Sequence, residues 1–192
     1  MNTNKVWFVT GASKGLGLSL VKKLLANNYR VAATSRTISA LKQNIPNFSD
    51  SFLPLEMDIT NDENVKASIE KVIDHFGQID IIVNNAGYSQ TGTLEELSDK
   101  EVKQNFEVNV FGLLNVIRHS TPYLRKQRSG HIFNISSIGG FVANFPGFGI
   151  YCSTKFAVAG LSESLAEELK SFQVNTKPGQ FYSMLLWLQN TR

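Results

Sequence analysis

The sequence has few of the residues that build disulfide-linked or metal-based scaffolds. Its 192 residues include one cysteine, Cys152, which excludes an internal disulfide and a multi-cysteine metal site. The three histidines, His75, His119 and His131, lie too far apart along the chain for a zinc motif. We therefore expect neither a disulfide framework nor a metal centre.

Long apolar runs and a strong charge imbalance are also missing. No apolar run approaches the ~20 residues that span a bilayer, and the N-terminus, MNTNKVWFVTG, lacks the features of a secretory signal. We therefore expect a cytoplasmic protein without a membrane partner. The formal net charge of +3 is too small to indicate nucleic-acid binding. The basic stretch 118–131 is interpreted as a helix end that faces water.

The composition is that of an ordinary globular protein. Hydrophobic residues make up 42% of the chain, charged residues 18%, and the mean hydropathy is −0.11. The length favours one domain over 1–192, and the sequence contains no internal repeat or linker.

Short apolar runs alternate with helical patterns, which is typical of repeated βα units. We expect strands over 5–10, 30–35, 52–57, 79–83, 131–135 and 172–177, and helices over 16–27, 60–76, 98–127 and 151–170. Thr60 with Glu63 and Ser98 with Glu101 have capping-box spacing, and Gly77 is a helix stop. Pro54 indicates a strand start or an irregular edge. This order predicts an α/β fold with a doubly wound parallel sheet that binds ligands at the carboxyl ends of its strands.

A glycine-rich turn, Thr10-Gly11-Ala12-Ser13-Lys14-Gly15-Leu16-Gly17, follows the first predicted strand. Glycines there let a pyrophosphate approach the N-terminus of the next helix, where free N–H groups favour anions. The turn is not a Walker A loop, and its spacing differs from GxGxxG. An isolated glycine turn also fits a plain tight turn, but the position after an N-terminal strand favours a dinucleotide site.

The second strand ends without the acid that NAD-selective proteins offer to the ribose 2′-hydroxyl. Arg36 stands there instead, and Lys14 in the glycine turn is a second cation. Arginine suits a 2′-phosphate through its planar fork, and lysine serves as a point charge. We therefore expect NADP(H) to be preferred over NAD(H). The alternative is a pair of solvated surface cations.

Tyr151 and Lys155 are four residues apart on a predicted helix, so their side chains lie on one face. A tyrosine of ordinary acidity is a poor acid–base group at neutral pH, and a nearby shielded cation improves it by stabilising the phenolate. The spacing alone is common by chance and also fits a surface pair.

Several motifs in order resemble those of the short-chain dehydrogenase/reductase family, in its common, non-extended branch. They are TGxxxGxG at 10–17, NNAG at 84–87, an asparagine at Asn109, a serine motif at 136–139, YxxxK at 151–155 and Pro178-Gly179 after the sixth strand. The resemblance covers nearly the whole chain. It implies a Rossmann-like fold and hydride transfer between NADP(H) and a small-molecule carbonyl or alcohol.

The resemblance also implies roles for individual residues. Tyr151 is the general acid or base, Ser137 binds the substrate oxygen, with Ser136 as the alternative, Lys155 binds the nicotinamide ribose, and Asn109 holds a relay water. The implied cofactor-binding residues are Gly11, Ser13, Lys14, Gly15, Leu16, Gly17, Arg36, Asp58, Ile59, Asn85, Ala86, Gly87, Tyr151, Lys155, Pro178, Gly179 and Ser183. Among them, Asp58 is assigned to adenine, Asn85 to the adenosine-side ribose and Ser183 to the nicotinamide amide.

The resemblance ends soon after Pro178-Gly179, where family members continue into a substrate lid and a seventh strand. We therefore expect a domain that is incomplete at its C-terminus relative to the family. Two functions stay open: an active oxidoreductase, or a catalytically weak nucleotide-binding relative that acts as a sensor or partner module. Helices 98–127 and 151–170 resemble the pair that family members use to dimerise, which implies a homo-oligomer. The alternative is that their outward faces are ordinary surface.

Overall fold

The structure is a parallel sheet with helices packed on both faces. The computed structural model describes residues 4–45 and 50–179, with side chains as far as residue 176. The strands are β1 Val6–Val9, β2 Arg30–Ser35, β3 Phe52–Glu56, β4 Ile81–Asn84, β5 Gly130–Ile135 and β6 Val174–Gly179. The helices are α1 Gly15–Ala26, α2 Ile38–Asn44, α3 Asp62–Phe76, α4 Asp99–Phe106, α5 Gly112–Gln127 and α6 Gly149–Leu169.

The six strands lie in the order β3-β2-β1-β4-β5-β6, and every neighbouring pair is parallel. The chain moves outward from β1 to β3, then returns to the centre and moves the other way from β4 to β6. This reversal creates a crevice at the carboxyl ends of β1 and β4, which is where doubly wound sheets bind ligands. The predicted doubly wound, Rossmann-like fold is confirmed.

Alternation along the central strand divides the core into two layers. Val6 and Phe8 face the layer covered by α3, α5 and α6, whereas Trp7 and Val9 face the layer covered by α1 and α2. All four side chains are at most 1% exposed. Burial on both faces explains why β1 is an unbroken apolar run.

The third strand has the edge position that its proline indicated. Pro54 lies inside β3 opposite Ala33 of β2, and β3 is the outermost strand on its side of the sheet among the residues that the structure describes. Proline lacks a backbone N–H, so an edge strand tolerates it where a central strand does not.

The start of α3 differs from the prediction. Asn61, not Thr60, is the N-cap, and its side chain accepts a hydrogen bond from the backbone N–H of Asn64 at 2.9 Å. Both residues cap helices well, so the local pattern could not separate them. The predicted end is confirmed, because Gly77 adopts a left-handed φ of 78°.

The predicted long helix over 98–127 is interrupted. Its capping box is confirmed, with the Ser98 side chain accepting from the backbone of Glu101 and the Glu101 side chain accepting from the backbone of Ser98. Between α4 and α5, however, Glu107–Phe111 forms one π-helical turn. Such wide turns are frequent at functional sites.

Two further differences concern short elements. Helix α2 was not predicted, because its seven residues are too few to show a clear period. The sixth strand begins at Val174, since Phe172 belongs to a 3-10 turn over Lys170–Phe172. It continues through Pro178 and Gly179, so the expectation that these two residues follow the strand was wrong. Among the described residues, no helix is long and apolar enough to cross a bilayer.

Candidate active site

The glycine-rich turn connects β1 to α1 at the crevice. A Cβ atom on Gly11 would lie 2.7 Å from Ala86 Cα, and one on Gly17 would lie 2.5 Å from the Gly11 carbonyl oxygen. Gly11 and Gly15 adopt positive φ values of 65° and 56°. The turn therefore requires glycine for close backbone packing at Gly11 and Gly17, and for conformation at Gly11 and Gly15.

The loop after β4 is fastened to this turn. Thr10 Oγ1 accepts hydrogen bonds from the backbone N–H groups of Asn85 at 3.1 Å and Ala86 at 3.0 Å. The Asn85 side-chain amide donates to the carbonyl oxygens of Thr10 and Gly11 at 2.9 and 3.0 Å. Asn85 thus has a structural role in the turn, and its predicted contact with the ribose stays a prediction.

The N-terminus of α1 has the features that a pyrophosphate requires. The N-cap residue, Lys14, makes no side-chain capping bond, and the first turn carries no acid. A Cβ on Gly15 would meet no atom within 4 Å, and Lys14, Gly15 and Leu16 are exposed, while Ser13 is half-buried. The N–H groups of this turn are therefore free to bind an anion. The residues present fit a dinucleotide.

The part of the crevice that is predicted to hold the adenosine is formed by the segments that follow β2 and β3. Arg36 is exposed and, like Lys14, forms no ion pair within residues 4–45 and 50–176. Asp58 is also exposed, and its Oδ1 accepts from the backbone and hydroxyl of Thr60 at 3.0 and 2.8 Å. Ile59 is buried against Gly112 at the start of α5. Their contacts with the cofactor stay predictions.

Lys155 and Tyr151 lie together on the first half of α6. The Lys155 ammonium is 5.8 Å from the centre of the Tyr151 ring and donates a 2.8 Å hydrogen bond to the carbonyl oxygen of Ile135, the last residue of β5. Lys155 is only 8% exposed. This burial lowers the pKa of the lysine from 10.5 to about 8, because desolvation disfavours the charged form.

Ser137 faces the same space as the tyrosine. A Cβ on Gly139 would lie 3.7 Å from both Ser137 Oγ and Tyr151 Cε1, so the two side chains border one glycine. Ser137 Oγ accepts from the backbone N–H of Gly139 at 3.2 Å, which leaves its own proton available to a ligand. Ser136 is buried against Gly140, beside the Lys155 backbone. The geometry therefore favours Ser137 over Ser136.

Asn109 lies in the π-helical turn, where it is 2% exposed. Its Oδ1 accepts from the backbone N–H of Tyr88 at 3.0 Å, and its Nδ2 donates to the Tyr88 carbonyl oxygen at 2.9 Å. Nδ2 also donates to Thr154 Oγ1 at 3.1 Å, and that hydroxyl donates to the carbonyl oxygen of Tyr151 at 2.7 Å. Asn109 thus joins the loop after β4 to the helix that carries Tyr151.

The remaining predicted residues are placed as follows. A Cβ on Gly87 would lie 3.0 Å from Asn109 Oδ1 and 3.8 Å from the Lys155 ammonium, so Gly87 borders the lysine. Pro178 and Gly179 end β6 opposite Asn134 and Ile135, at the same edge of the sheet. Ser183 lies outside the described residues.

Sequence reasoning missed a buried polar ladder behind the lysine. Asn84 of β4 donates to Asn134 of β5 at 2.8 Å, and Asn134 donates to Ser162 of α6 at 2.9 Å. These bonds fix the ends of β4 and β5 against α6. The signal available in the sequence was one asparagine near the end of each of two predicted strands. Within the described residues, no group of three His, Cys, Asp or Glu side chains could hold a metal ion.

An apolar cleft lies beside the first turn of α6, directly before Tyr151. It has a volume of about 370 Å³ and is lined by Gly92, Leu94, Ala143, Asn144, Phe145, Pro146, Gly147 and Gly149. A 2.9 Å hydrogen bond from the Gly92 N–H to the Gly147 carbonyl oxygen joins its two loops. No charged residue occurs over 86–94 or 138–150. The cleft therefore suits neutral, apolar groups.

Known proteins resemble this chain in sequence and in fold. The family model for short chain dehydrogenase matches residues 5–183. Oxidoreductase BOA17 of Botryotinia fuckeliana is 37% identical over 171 residues, which cover 88% of this chain and 62% of that protein. The chain thus spans less than two thirds of this relative's length.

Two solved structures of similar fold carry different cofactors. ElxO with NADP bound has a TM-score of 0.84 and 30% identity, over 90% of this chain and 71% of that one. The 3-ketoacyl-(acyl-carrier-protein) reductase from Brucella melitensis, complexed with NADH, has a TM-score of 0.85 and 26% identity, over 90% of this chain and 73% of that one.

Proposed function

The chain belongs to the short-chain dehydrogenase family, and from this premise we propose that it is an NADP(H)-dependent oxidoreductase of carbonyl or alcohol substrates. In this proposal Tyr151 is the general acid in carbonyl reduction and the base in alcohol oxidation. The observation that carries the proposal is the buried ammonium of Lys155, held by Ile135 on the same helix face as Tyr151. The nicotinamide, when bound, supplies or accepts the hydride.

Lys155 supports the proton transfer electrostatically. At the 5.8 Å that separates the ammonium from the centre of the Tyr151 ring, a unit charge stabilises a phenolate by about 1 kcal/mol in water and by about 3 kcal/mol at an effective dielectric constant near 20. Because Lys155 is 8% exposed, the higher value is the better guide here. A lysine whose pKa is about 8 still carries its proton at neutral pH, so the cation is present when Tyr151 reacts.

Ser137 and Asn109 complete the arrangement in different ways. Ser137 donates its hydroxyl proton to the substrate oxygen. Its Oγ and the Tyr151 ring both lie next to Gly139, so both can reach the same substrate atom. The Asn109 amide is committed to Tyr88 and Thr154. We therefore assign Asn109 first to positioning of α6, with the predicted relay water as a further role.

The dinucleotide is held along the crevice. The α1 N-terminus at Gly15–Gly17 binds the pyrophosphate, Arg36 and Lys14 attract a 2′-phosphate, and Gly87 leaves room for the ribose next to Lys155. These assignments rest on the exposed cations and on the open space at Gly15. Asp58, two residues after β3, binds adenine.

The substrate class follows from the uncharged loops around the cleft. Ile138, Phe141, Phe145 and Leu94, on the uncharged segments 86–94 and 138–150, expose 39% to 73% of their surfaces. Exposed apolar surface of this kind marks a binding region. We therefore assign to this site a neutral, apolar ketone or aldehyde or the matching alcohol, not a phosphorylated or carboxylated substrate.

A homo-oligomer is part of the proposal. Phe111, the last residue of the π-helical turn, and Phe156, on α6, are 48% and 44% exposed. Both lie on the two helical segments that the sequence indicated as an interface. A second copy of the chain would cover both rings. A Phe156→Glu variant that elutes at the same size as the parent in size-exclusion chromatography would contradict this assignment.

The decisive test is turnover of a carbonyl panel. Purified protein is mixed with NADPH and with apolar ketones and aldehydes or their carboxylated analogues, and loss of the reduced nicotinamide absorbance is followed. The proposal expects turnover of the apolar members, and none when Tyr151 is replaced by phenylalanine. Nucleotide binding without turnover of any member would contradict it.

A further inference from the structure

The end of β2 has no acid of its own, but the sheet brings one to the same place. Ser35, the last residue of β2, lies directly opposite Glu56, the last residue of β3. Paired residues of neighbouring strands direct their side chains to the same face of the sheet. The position at which an NAD-selective protein carries its ribose-binding acid is therefore next to a carboxylate from another strand.

The Glu56 side chain leans toward the segment that follows β2. Its Oε2 accepts from the backbone N–H of Ile38 at 3.3 Å, while Ser35 Oγ accepts from the backbone N–H of Thr37 at 3.3 Å. Glu56 is exposed, so its carboxylate retains acceptor sites for a ligand.

Arg36 stands beside the same segment without neutralising the acid. It is exposed and forms no salt bridge with Glu56 or with any other acid in the described part of the chain. A cation and an anion thus border one ribose-binding edge independently. Arg36 is therefore available to an anionic group of a ligand, and Glu56 to a hydrogen-bond donor.

We propose that Glu56 is a specificity-determining residue for the adenosine ribose, and that it opposes Arg36. Its carboxylate accepts a hydrogen bond from the free 2′-hydroxyl of NAD(H) and repels the 2′-phosphate of NADP(H). The Arg36 guanidinium instead favours NADP(H), because it attracts the 2′-phosphate. The chain therefore uses both dinucleotides, and the difference between these two side chains sets a moderate preference. This inference rests on the proposed dinucleotide site.

The size of the effect follows from the charges. A 2′-phosphate carries about −1.5 to −2 charges at neutral pH. Its repulsion by a neighbouring exposed carboxylate, in a largely aqueous dielectric, corresponds to about a tenfold loss of affinity. Removing the charge of Glu56 is therefore expected to raise the NADPH-to-NADH affinity ratio about tenfold.

The test measures binding and needs no carbonyl substrate. Dissociation constants of NADPH and NADH are determined by calorimetry for the parent chain and for the variants Glu56→Gln, Glu56→Lys, Arg36→Gln and Glu70→Gln. The last is a matched control, because Glu70 is an exposed acid in the middle of α3. We expect Glu56→Gln to raise the ratio about tenfold, Glu56→Lys to raise it further and Arg36→Gln to lower it.

An unchanged affinity ratio in both Glu56 variants, with circular dichroism like that of the parent, would overturn the inference while leaving the proposed function intact. An equal rise in Glu70→Gln would also overturn it, because the effect would then come from net charge. If the parent binds neither dinucleotide, the proposed function fails and this inference fails with it.

Discussion

The Lys155 ammonium donates a 2.8 Å hydrogen bond to the carbonyl oxygen of Ile135, which ties the middle of a helix to the end of a strand. The bond fixes the buried cation 5.8 Å from the Tyr151 ring. One backbone acceptor therefore determines where the positive charge of the site lies. Burial of that charge has a measurable effect on stability.

The burial of Lys155 predicts a pH dependence of stability. Burial lowers its pKa to about 8 from 10.5. Below pH 8 the ammonium is charged in both states and its burial is most costly. Between pH 8 and 10.5 the folded state has released a proton that the unfolded state keeps, so stability rises with pH.

A Lys155→Met variant lacks this titration. The free energy of unfolding of the parent minus that of the variant should rise by roughly 3 kcal/mol from pH 7 to 10.5. Urea unfolding at several pH values measures this difference. Using the difference removes the titration of groups that do not interact with Lys155, and a flat difference across this range would contradict the burial of a charged lysine.

Gly17 is predicted to tolerate no side chain. In Gly17→Ala the new methyl group meets the Gly11 carbonyl oxygen and the Asn85 amide at 2.5 Å. We expect a loss of about 1–3 kcal/mol in unfolding free energy, typical of overpacking, and a loss of dinucleotide affinity.

Gly160→Ala is the control for this experiment. Gly160 lies inside α6, and a Cβ there would meet no atom within 4 Å. Alanine is a better helix residue, so this variant should be more stable by roughly 0.5–1 kcal/mol, with unchanged nucleotide affinity. Equal behaviour of the two variants would show that the turn is not packed as described.

Much of this fold could be predicted from local sequence signals. Apolar runs located the first five strands, and the family resemblance indicated the more polar sixth. Gly77 and the Ser98–Glu101 pair located helix ends. These signals act over three or four residues, so one sequence is enough to detect them. The family resemblance identified Asn109. It did not predict the π-helical turn that contains this residue, because the residues of the turn continue the apolar pattern of a helix.

Other features depend on contacts between distant segments. The register that sets Glu56 opposite Ser35 is decided by packing of whole strands, and no local pattern records it. Likewise, the bond between Lys155 and Ile135 spans twenty residues. The motif YxxxK predicted the pair on α6 but not the backbone oxygen that holds the lysine.

Asn109 is predicted to matter for stability as well as for rate. In Asn109→Asp the side chain can no longer donate to the Tyr88 carbonyl oxygen or to Thr154. A buried carboxylate with lost hydrogen bonds should lower the unfolding free energy by about 2–3 kcal/mol and lower kcat, because α6 loses its link to the loop after β4.

The exposed Asn144 provides the matched substitution. Asn144→Asp should leave the unfolding free energy within ~0.5 kcal/mol of the parent value, as surface changes usually do. Denaturant unfolding of both variants tests the stability role of Asn109, and steady-state kinetics of Asn109→Asp against the parent tests its effect on rate. Equal stability of the two variants would contradict the buried hydrogen-bond network.

The central claim is that Tyr151 exchanges the proton of the substrate oxygen, and the most direct measurement compares the parent with Tyr151→Phe. Single-turnover oxidation of bound NADPH by an apolar ketone gives the rate of the chemical step. Calorimetry on the same samples gives NADPH affinity. The account predicts that the variant reacts about 10²–10⁴-fold more slowly than the parent and that its NADPH affinity stays within a factor of about three of the parent value. A Tyr151→Phe variant that reduces the ketone at the parent rate would contradict it.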